Sequence, residues 1–246
     1  MARSKKSRQA LVSIVVPVYN EADNIASCLN GIADAMNGIP HEVLVVYDFD
    51  EDTTLPVVKA MGDKAGSARL VKNTIGRGAA NALKTGFASA LGDVIVTTMA
   101  DLSDPPDVIP VMAEKIRKGA AVVSGSRYMS GGSQSGGPLF KRTLSRIAGE
   151  SLYYVAGLGT HDATTNFRAY SGSFIKGVTI ESGQGFQIAL ELTVKAHLAG
   201  LVVDEVPSSW TDRSAGQSRF KLFKWLPGYL KWYLKAMAGS FASRYR

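Results

Sequence analysis

Five short runs rich in β-branched residues alternate with segments of helical periodicity: LVSIVVPVYN (11–20), EVLVVYD (42–48), ARLVKN (68–73), DVIVTTMAD (93–101) and AAVVSGSRY (120–128). Runs this apolar fit strands of a parallel sheet covered on both faces. Residues 21–36, 53–65, 76–91 and 106–119 supply the helical crossovers, and the βαβαβ order predicts a doubly wound α/β sheet. Ligands of such sheets bind beyond the carboxyl ends of the strands, so Tyr19, Asn20, Glu21, Asp48 and Asp101 should gather at one edge. After Tyr128 the pattern loosens into the glycine-rich loop MSGGSQSGGP. A helix is predicted from Lys141, a loop over 162–171, a helix over 187–200 and a strand over 201–207.

A chain of 246 residues accommodates one such domain. The net charge of +7 is unevenly placed: residues 1–20 carry four bases and no acid, and residues 213–246 carry eight bases and no acid. The body between them is acidic, which disfavours a nucleic-acid groove and suits basic ends lying on anionic lipid headgroups. For residues 1–9 alone, a solvated basic arm is the simpler reading. The sequence is expected to divide into a basic arm (1–10), an α/β domain (11–212) and a basic amphipathic segment (213–246). A single cysteine, Cys28, excludes an internal disulfide framework. No segment has the length of uncharged residues that a membrane span needs, and the start lacks a signal peptide's apolar stretch. These features lead to the expectation of a cytoplasmic protein.

Several stretches carry candidate chemistry. VPVYNEADNI leaves a strand and enters a helix with Glu21 near the helix start. VVYDFDEDTT crowds Asp48, Asp50, Glu51 and Asp52 together; Asp48 at the strand tip is placed to accept hydrogen bonds from a base or ribose, and the others read as a solvated turn. In NTIGRGAANALKTGF, Gly76 and Gly78 permit close backbone approach and Arg77 can reach a phosphate, or the glycines simply shape a tight helix entry. It matches neither a dinucleotide fingerprint nor a P-loop. In VTTMADLSDPP, Asp101 ends a strand at the ligand edge, whereas Asp104 and Asp107 are assigned structural duties, Asp107 as cap of a helix with Pro110 in its first turn.

VPVYNE, an acidic strand end, ADLSDPP, SGSRYMSGG, DATTNFRAY and DEVPSSWTDRSAGQSRF, in this order, resemble the family 2 inverting glycosyltransferases of GT-A fold. The nearest branch is that of dolichol-phosphate mannose synthase and other polyprenyl-phosphate glycosyltransferases. The likeness covers most of residues 11–220. It implies that Pro17, Tyr19 and Glu21, with Gly76 and Arg77, line a nucleotide pocket and that Asp48 contacts the nucleoside. Asp101 would be the surviving carboxylate of a DxD metal site for Mg²⁺ or Mn²⁺, with Ser103 as a further ligand. Arg127, Lys141 and Ser145, with Arg142 as a second candidate, would hold the acceptor phosphate, and Asp101, Arg127 and Lys141 would carry catalysis. Arg213, Ser218 and Arg219 match the element that closes over donor and acceptor phosphates. Asp162, Arg168, Gln187 and Glu191 would border the sugar pocket.

The sequence departs from that pattern at three positions: Met99 replaces the first DxD aspartate, Tyr47 replaces the first of two strand-end aspartates, and Ala189 stands where many relatives have glutamate. A thioether is a poor ligand for Mg²⁺ or Mn²⁺, so Met99 should face the core or the pocket wall. One carboxylate can suffice where substrate phosphates supply other oxygens. The implied activity is transfer of a hexose-type sugar from a GDP- or UDP-linked donor to a polyprenyl phosphate, an acceptor already anionic and needing no base. The alternatives are transfer to a hydroxyl, with Asp162 or Glu191 as base, and a lapsed nucleotide-sugar-binding protein. His41, His161 and His197 read as surface or loop residues. In the tail, Lys221, Lys224, Lys231 and Lys235 fall on one helical stripe beside Phe220, Trp225, Tyr229 and Trp232, with Pro227-Gly228 dividing it into two helices. That segment suits the inner membrane surface, or packing on its own domain, a homodimer partner or a separate membrane subunit.

Overall fold

The computed structural model describes residues 11–212 and 222–244. Its centre is a seven-stranded sheet built on the expected β-branched runs: β1 (Val12–Pro17), β2 (His41–Tyr47), β3 (Ala68–Lys72), β4 (Val94–Thr97) and β5 (Val122–Ser126). Every residue of β1 and β4 is buried, the pattern expected of strands covered on both faces. A short β6 (Ser133–Ser135) pairs with β9 (Ser209–Thr211) outside the main sheet, while β7 (Arg168–Ser171) and β8 (Val203–Pro207) complete it. The order is β3-β2-β1-β4-β7-β5-β8, parallel except for β7, which runs antiparallel between β4 and β5. The chain thus reverses its direction of growth between β1 and β4, and the crevice at that switch point opens beside Pro17 and Thr97.

Among the described residues, eight α-helices surround the sheet: α1 (Ile25–Ala35), α2 (Thr54–Met61), α3 (Ala79–Ser89), α4 (Ile109–Arg117), α5 (Leu139–Ala156), α6 (Gly172–Gly177), α7 (Ile188–Leu198) and α8 (Leu222–Arg244). Ile25, Cys28, Leu29 and Ile32 form the buried stripe of α1, at the spacing of one helical face. With Met112 and Ile116 of α4 they cover one side of the sheet. Leu83 and Phe87 of α3 and Ile188 and Leu192 of α7 cover the other, where Phe87 meets Tyr170 edge-on at 5.6 Å. A third apolar cluster, Leu152, Ala156, Leu190, Val194, Trp232 and Ala236, docks α5 and α8 onto α7.

Three sequence expectations change. Residues 162–171, expected to be a loop, end in strand β7; its sequence RAYS has no β-branched residue, and it is held by ladders on both sides. Asp107 does not cap a helix: a 3₁₀ turn at Pro106–Val108 leads into α4, whose N-cap is Val108. Pro227-Gly228 does not divide the tail, because α8 runs through it. Gly228 lets the helix lie against the Gln187 side chain, where any Cβ would collide.

Gly149 plays a similar part in α5, since a Cβ there would collide with the His161 carbonyl oxygen. Gly149→Ala should lift α5 from the loop before β7 and lower stability by about 1–3 kcal/mol, the usual cost of overpacking. The urea midpoint at an unchanged m-value measures this.

Candidate active site

The carboxyl edge of the sheet opens into one cavity of 1210 Å³. Pro17, Tyr19 and Glu21 after β1, Asp48 after β2, Arg77, Asp101 after β4 and Arg127 after β5 all line it, together with Lys141, Arg142 and Ser145 of α5. Residues separated by most of the chain therefore share one crevice, as a doubly wound sheet dictates.

At the β1 and β2 end, two loops are laced together. Asn20, in a left-handed conformation at φ 55°, donates its N–H to Asp52 Oδ1 at 3.1 Å and accepts from the Thr53 N–H at 3.1 Å. The Glu21 N–H donates to Thr54 Oγ1 at 2.9 Å. Asp52, expected in a solvated turn, is in fact buried and acts as this link. Asp48 accepts from Asn73 Nδ2 at 2.7 Å and from the Gly78 N–H at 2.8 Å, which fixes the glycine turn. Gly76 itself does not line the cavity; its carbonyl accepts from Asn73 Nδ2, and Gly78 is the glycine on the wall. The Arg77 guanidinium lies 5.1 Å from the Phe49 ring centroid, and that ring meets Tyr19 edge-on.

At the β4 end, Asp101 Oδ1 accepts from the Ser103 N–H at 3.2 Å. Met99 lines the wall beside Asp101, as expected for a residue that cannot ligate a hard cation. Ser103, expected to help hold a metal, does not line the cavity; its Oγ is buried with no hydrogen-bond partner. Asp104, given a structural duty on the sequence, lines the cavity instead. Burial and the neighbouring Asp101 charge push its carboxyl up to about 7. Carboxylate oxygen is a donor chemistry that suits Mg²⁺ or Mn²⁺ over softer ions. Among the described residues, no three His, Cys, Asp or Glu side chains converge to enclose a metal, so any such ion must take further oxygens from substrate and water.

At the β5 end, Arg127 forms a bidentate pair with the fully buried Asp162: Nε donates to Oδ2 at 2.6 Å and Nη2 to Oδ1 at 2.9 Å. Nη2 also reaches Ser145 Oγ and Thr164 Oγ1, each at 3.3 Å. Tyr128 stacks under the guanidinium and donates its hydroxyl to Ser145 Oγ at 3.0 Å. Burial would raise the Asp162 pKa, but the charge and hydrogen bonds of Arg127, joined by Arg168, more than offset it and hold the carboxyl below its usual range.

The four residues assigned to the sugar pocket take other places. Asp162 sits behind Arg127. Arg168 is wholly buried, donating to the carbonyls of Thr165 at 2.7 Å and Asp162 at 2.5 Å and to Thr193 Oγ1, so it shapes the loop from within. Glu191 is also buried; it accepts from the N–H groups of Glu181 and Ser182 and pairs with Lys195 at 2.8 Å. Gln187 packs on Gly228. Thr164, Thr165 and Asn166 line the cavity in their stead. Arg213, Ser218 and Arg219 lie outside the described residues.

The cavity continues between α5 and α8 along an apolar wall that includes Leu144, Ile147, Leu152, Trp225, Leu230 and Tyr229. The sequence marked the aromatic residues of α8 but not the α5 face opposite. Within the expected lysine stripe, Lys231 and Lys235 are exposed yet pair with Glu181 at 2.8 and 3.7 Å and lie over the Trp232 ring. Lys221 lies outside the described residues.

The lowered Asp162 pKa sets a pH dependence. Its contribution to stability is complete above the unfolded carboxyl pKa of about 3.9 and is lost as pH falls through the lower folded value. Asp162→Asn should cost about 3–5 kcal/mol near neutrality, the usual cost of removing one partner of a buried pair, and the deficit relative to wild type should shrink below about pH 4. Urea titrations between pH 3 and 7 test both the size and the direction.

Residues 13–178 match Glycosyl transferase family 2. The dolichol-phosphate mannosyltransferase of Pyrococcus furiosus is 31% identical over 85% of this chain and 59% of its own length. The polyprenol monophosphomannose synthase of Mycolicibacterium smegmatis is 28% identical over 84% of this chain and 79% of its own. This chain thus spans little more than half of the archaeal relative. Among solved structures, glucosyl-3-phosphoglycerate synthase from Mycobacterium tuberculosis, in complex with Mn²⁺, UDP and glucosyl-3-phosphoglycerate, superposes with a TM-score of 0.66 at 18% identity, over 94% of this chain and 80% of that one. The matched family, the GT-A-like sheet and the clustering of the motifs at its carboxyl edge agree, and the chain belongs to glycosyl transferase family 2.

Proposed function

We propose that the chain transfers a hexose-type sugar, with inversion, from a nucleotide diphosphate to a polyprenyl phosphate at the cytoplasmic face of a membrane. The observation that carries this reading is the make-up of this cavity: a polar half at the switch point, cations in the middle and an apolar half between α5 and α8. A ligand matching that sequence of surfaces has an anionic head and an apolar tail. Relatives named for dolichol phosphate and polyprenol support the same acceptor class. A small soluble phosphate would leave the apolar half without purpose.

Each residue's task follows from its place. Tyr19, Asp48 and Arg77 would bound the nucleoside and its phosphates, with Asp101 holding the divalent cation. When bound, Mg²⁺ or Mn²⁺ would neutralise the leaving diphosphate. Arg127, fixed by Asp162, and Lys141, with Arg142 and Ser145 beside it, would aim the acceptor phosphate. Donor and acceptor would approach from opposite ends of the cavity, which suits displacement with inversion. The acceptor oxygen arrives ionised, and the two carboxylates available as bases on the sequence, Asp162 and Glu191, are held in buried pairs with Arg127 and Lys195. This favours phosphate over hydroxyl as acceptor. The retention of cations along the cavity speaks against a lapsed site.

No helix among the described residues is long and apolar enough to cross a membrane. Exposed Leu139, Phe140 and Ile147 of α5 and Leu226, Leu230 and Leu234 of α8 give a surface that suits shallow insertion into a lipid headgroup layer instead.

Asp101→Ala should lower lipid-dependent sugar transfer by roughly a hundredfold to a thousandfold, comparable to loss of one key electrostatic donor, with melting temperature unchanged. Transfer of label from GDP- and UDP-sugars into an organic extract reads this out, and full activity in the variant would defeat the assignment. Leu230→Asp should raise the KM for a long-chain polyprenyl phosphate by about tenfold, the worth of one lost buried leucine contact, and leave the KM for the donor unchanged. An equal rise in both would sink the assignment of the apolar half to the acceptor.

A further inference from the structure

We infer that Asp104 is the second carboxylate ligand of the divalent cation, taking the duty that Met99 cannot perform. The inference rests on the transferase reading above and deepens it. β4 ends at Thr97, and beyond it Met99 and Asp101 both line the cavity. Leu102 then turns the chain: its φ of 60° is left-handed, which a branched apolar residue adopts only where the surroundings impose it. Beyond this kink Ser103 turns inward, 5% exposed, and its carbonyl accepts from the Thr211 N–H at 3.1 Å. Asp104 then emerges on the cavity wall, followed by Pro105 in an extended conformation and by Pro106, which opens the 3₁₀ turn.

The surroundings of Asp104 fit a metal ligand. Among the described residues its carboxylate makes no hydrogen bond or ion pair, in contrast to Asp48, Asp52, Asp162 and Glu191. It shares the cavity wall with Asp101 and with Arg127. Mg²⁺ and Mn²⁺ sites commonly combine one or two carboxylates with substrate phosphates and water. Asp101 and Asp104 make that count without a contribution from position 99.

The test is Mn²⁺ binding to the full chain, measured by calorimetry and by electron paramagnetic resonance with saturating UDP and, in parallel, GDP. Asp104→Asn should weaken Mn²⁺ binding on the order of tenfold or more, since even the loss of an outer partner of a ligand costs that much. Met99→Asp in the Asp104→Asn background should restore it, and Asp107→Asn, a change at an exposed acid of the same turn, should have no effect. Asp104→Ser serves as the second truncation if the asparagine variant does not fold. Unchanged Mn²⁺ affinity in a folded Asp104 variant overturns the proposal alone. Weakening that Met99→Asp fails to reverse assigns Asp104 an indirect effect through Asp101 and also overturns it. Absence of Mn²⁺ binding to the wild-type chain with either nucleotide overturns the metal-dependent transferase reading as well.

Discussion

The buried pair of Arg127 and Asp162 is the joint on which the acceptor side of the molecule depends. It ties the end of β5 to the loop before β7, and its hydrogen bonds extend through Ser145 to α5. Removing two charges from water is costly, and the bidentate geometry offsets much of that cost. Arg168 completes the arrangement from behind, clasping the Asp162 and Thr165 carbonyls. Burial lowers the Arg168 pKa, yet a guanidinium stays protonated, so two cations share one anion inside the wall. The surplus positive charge faces a cavity already lined by Lys141 and Arg142. An anionic ligand is the natural complement of such a wall, and the orientation of Arg127 is set before that ligand arrives.

The apolar half of the cavity depends on a different kind of joint. Trp232, 2% exposed, anchors α8 in the third apolar cluster, and Lys195, Lys231 and Lys235 stand around its ring and reach Glu181. Those lysines hold the helix to the domain. Docking by this face leaves Leu226, Leu230 and Leu234 outward, opposite the exposed apolar residues of α5. The two helices therefore make a cleft with apolar residues on its rim as well as inside, and Arg127 lines the same cavity.

The sheet was legible because β-branched runs buried on both faces leave few alternatives, and its switch point then located the edge where Tyr19, Asp48, Asp101 and Arg127 meet. What escaped was set by contacts between distant segments. Arg168 looked like a ligand residue, since sequence does not reveal that two carbonyls and Thr193 satisfy its guanidinium. Glu191 was misread for the same reason, its partners being the backbone of residues 181 and 182. Strand β7 lacks β-branched residues and owes its conformation to two neighbours. Pro227-Gly228 read as a break; the exposed proline is tolerated because the turns beyond it are held by Trp232 and Ala236. Asp104 was hidden by the turn at Leu102, which shifts the face that each later residue presents.

The raised pKa of Asp104 bears on which acceptor the site can serve. A carboxyl near 7 suits a general base, and transfer to a hydroxyl would need one. Burial is the larger cause of that rise, and the Asp101 charge adds to it. A divalent ion at Asp101 would be the largest local charge, and it would offset the repulsion between the two carboxylates. Metal binding and base catalysis therefore make opposite demands on one side chain. A cation held by Asp104 would commit that side chain, and Asp162 and Glu191 are already held by Arg127 and Lys195. With these carboxylates so engaged, the proposed reaction suits a nucleophile that brings its own negative charge, which a lipid phosphate does and an alcohol does not.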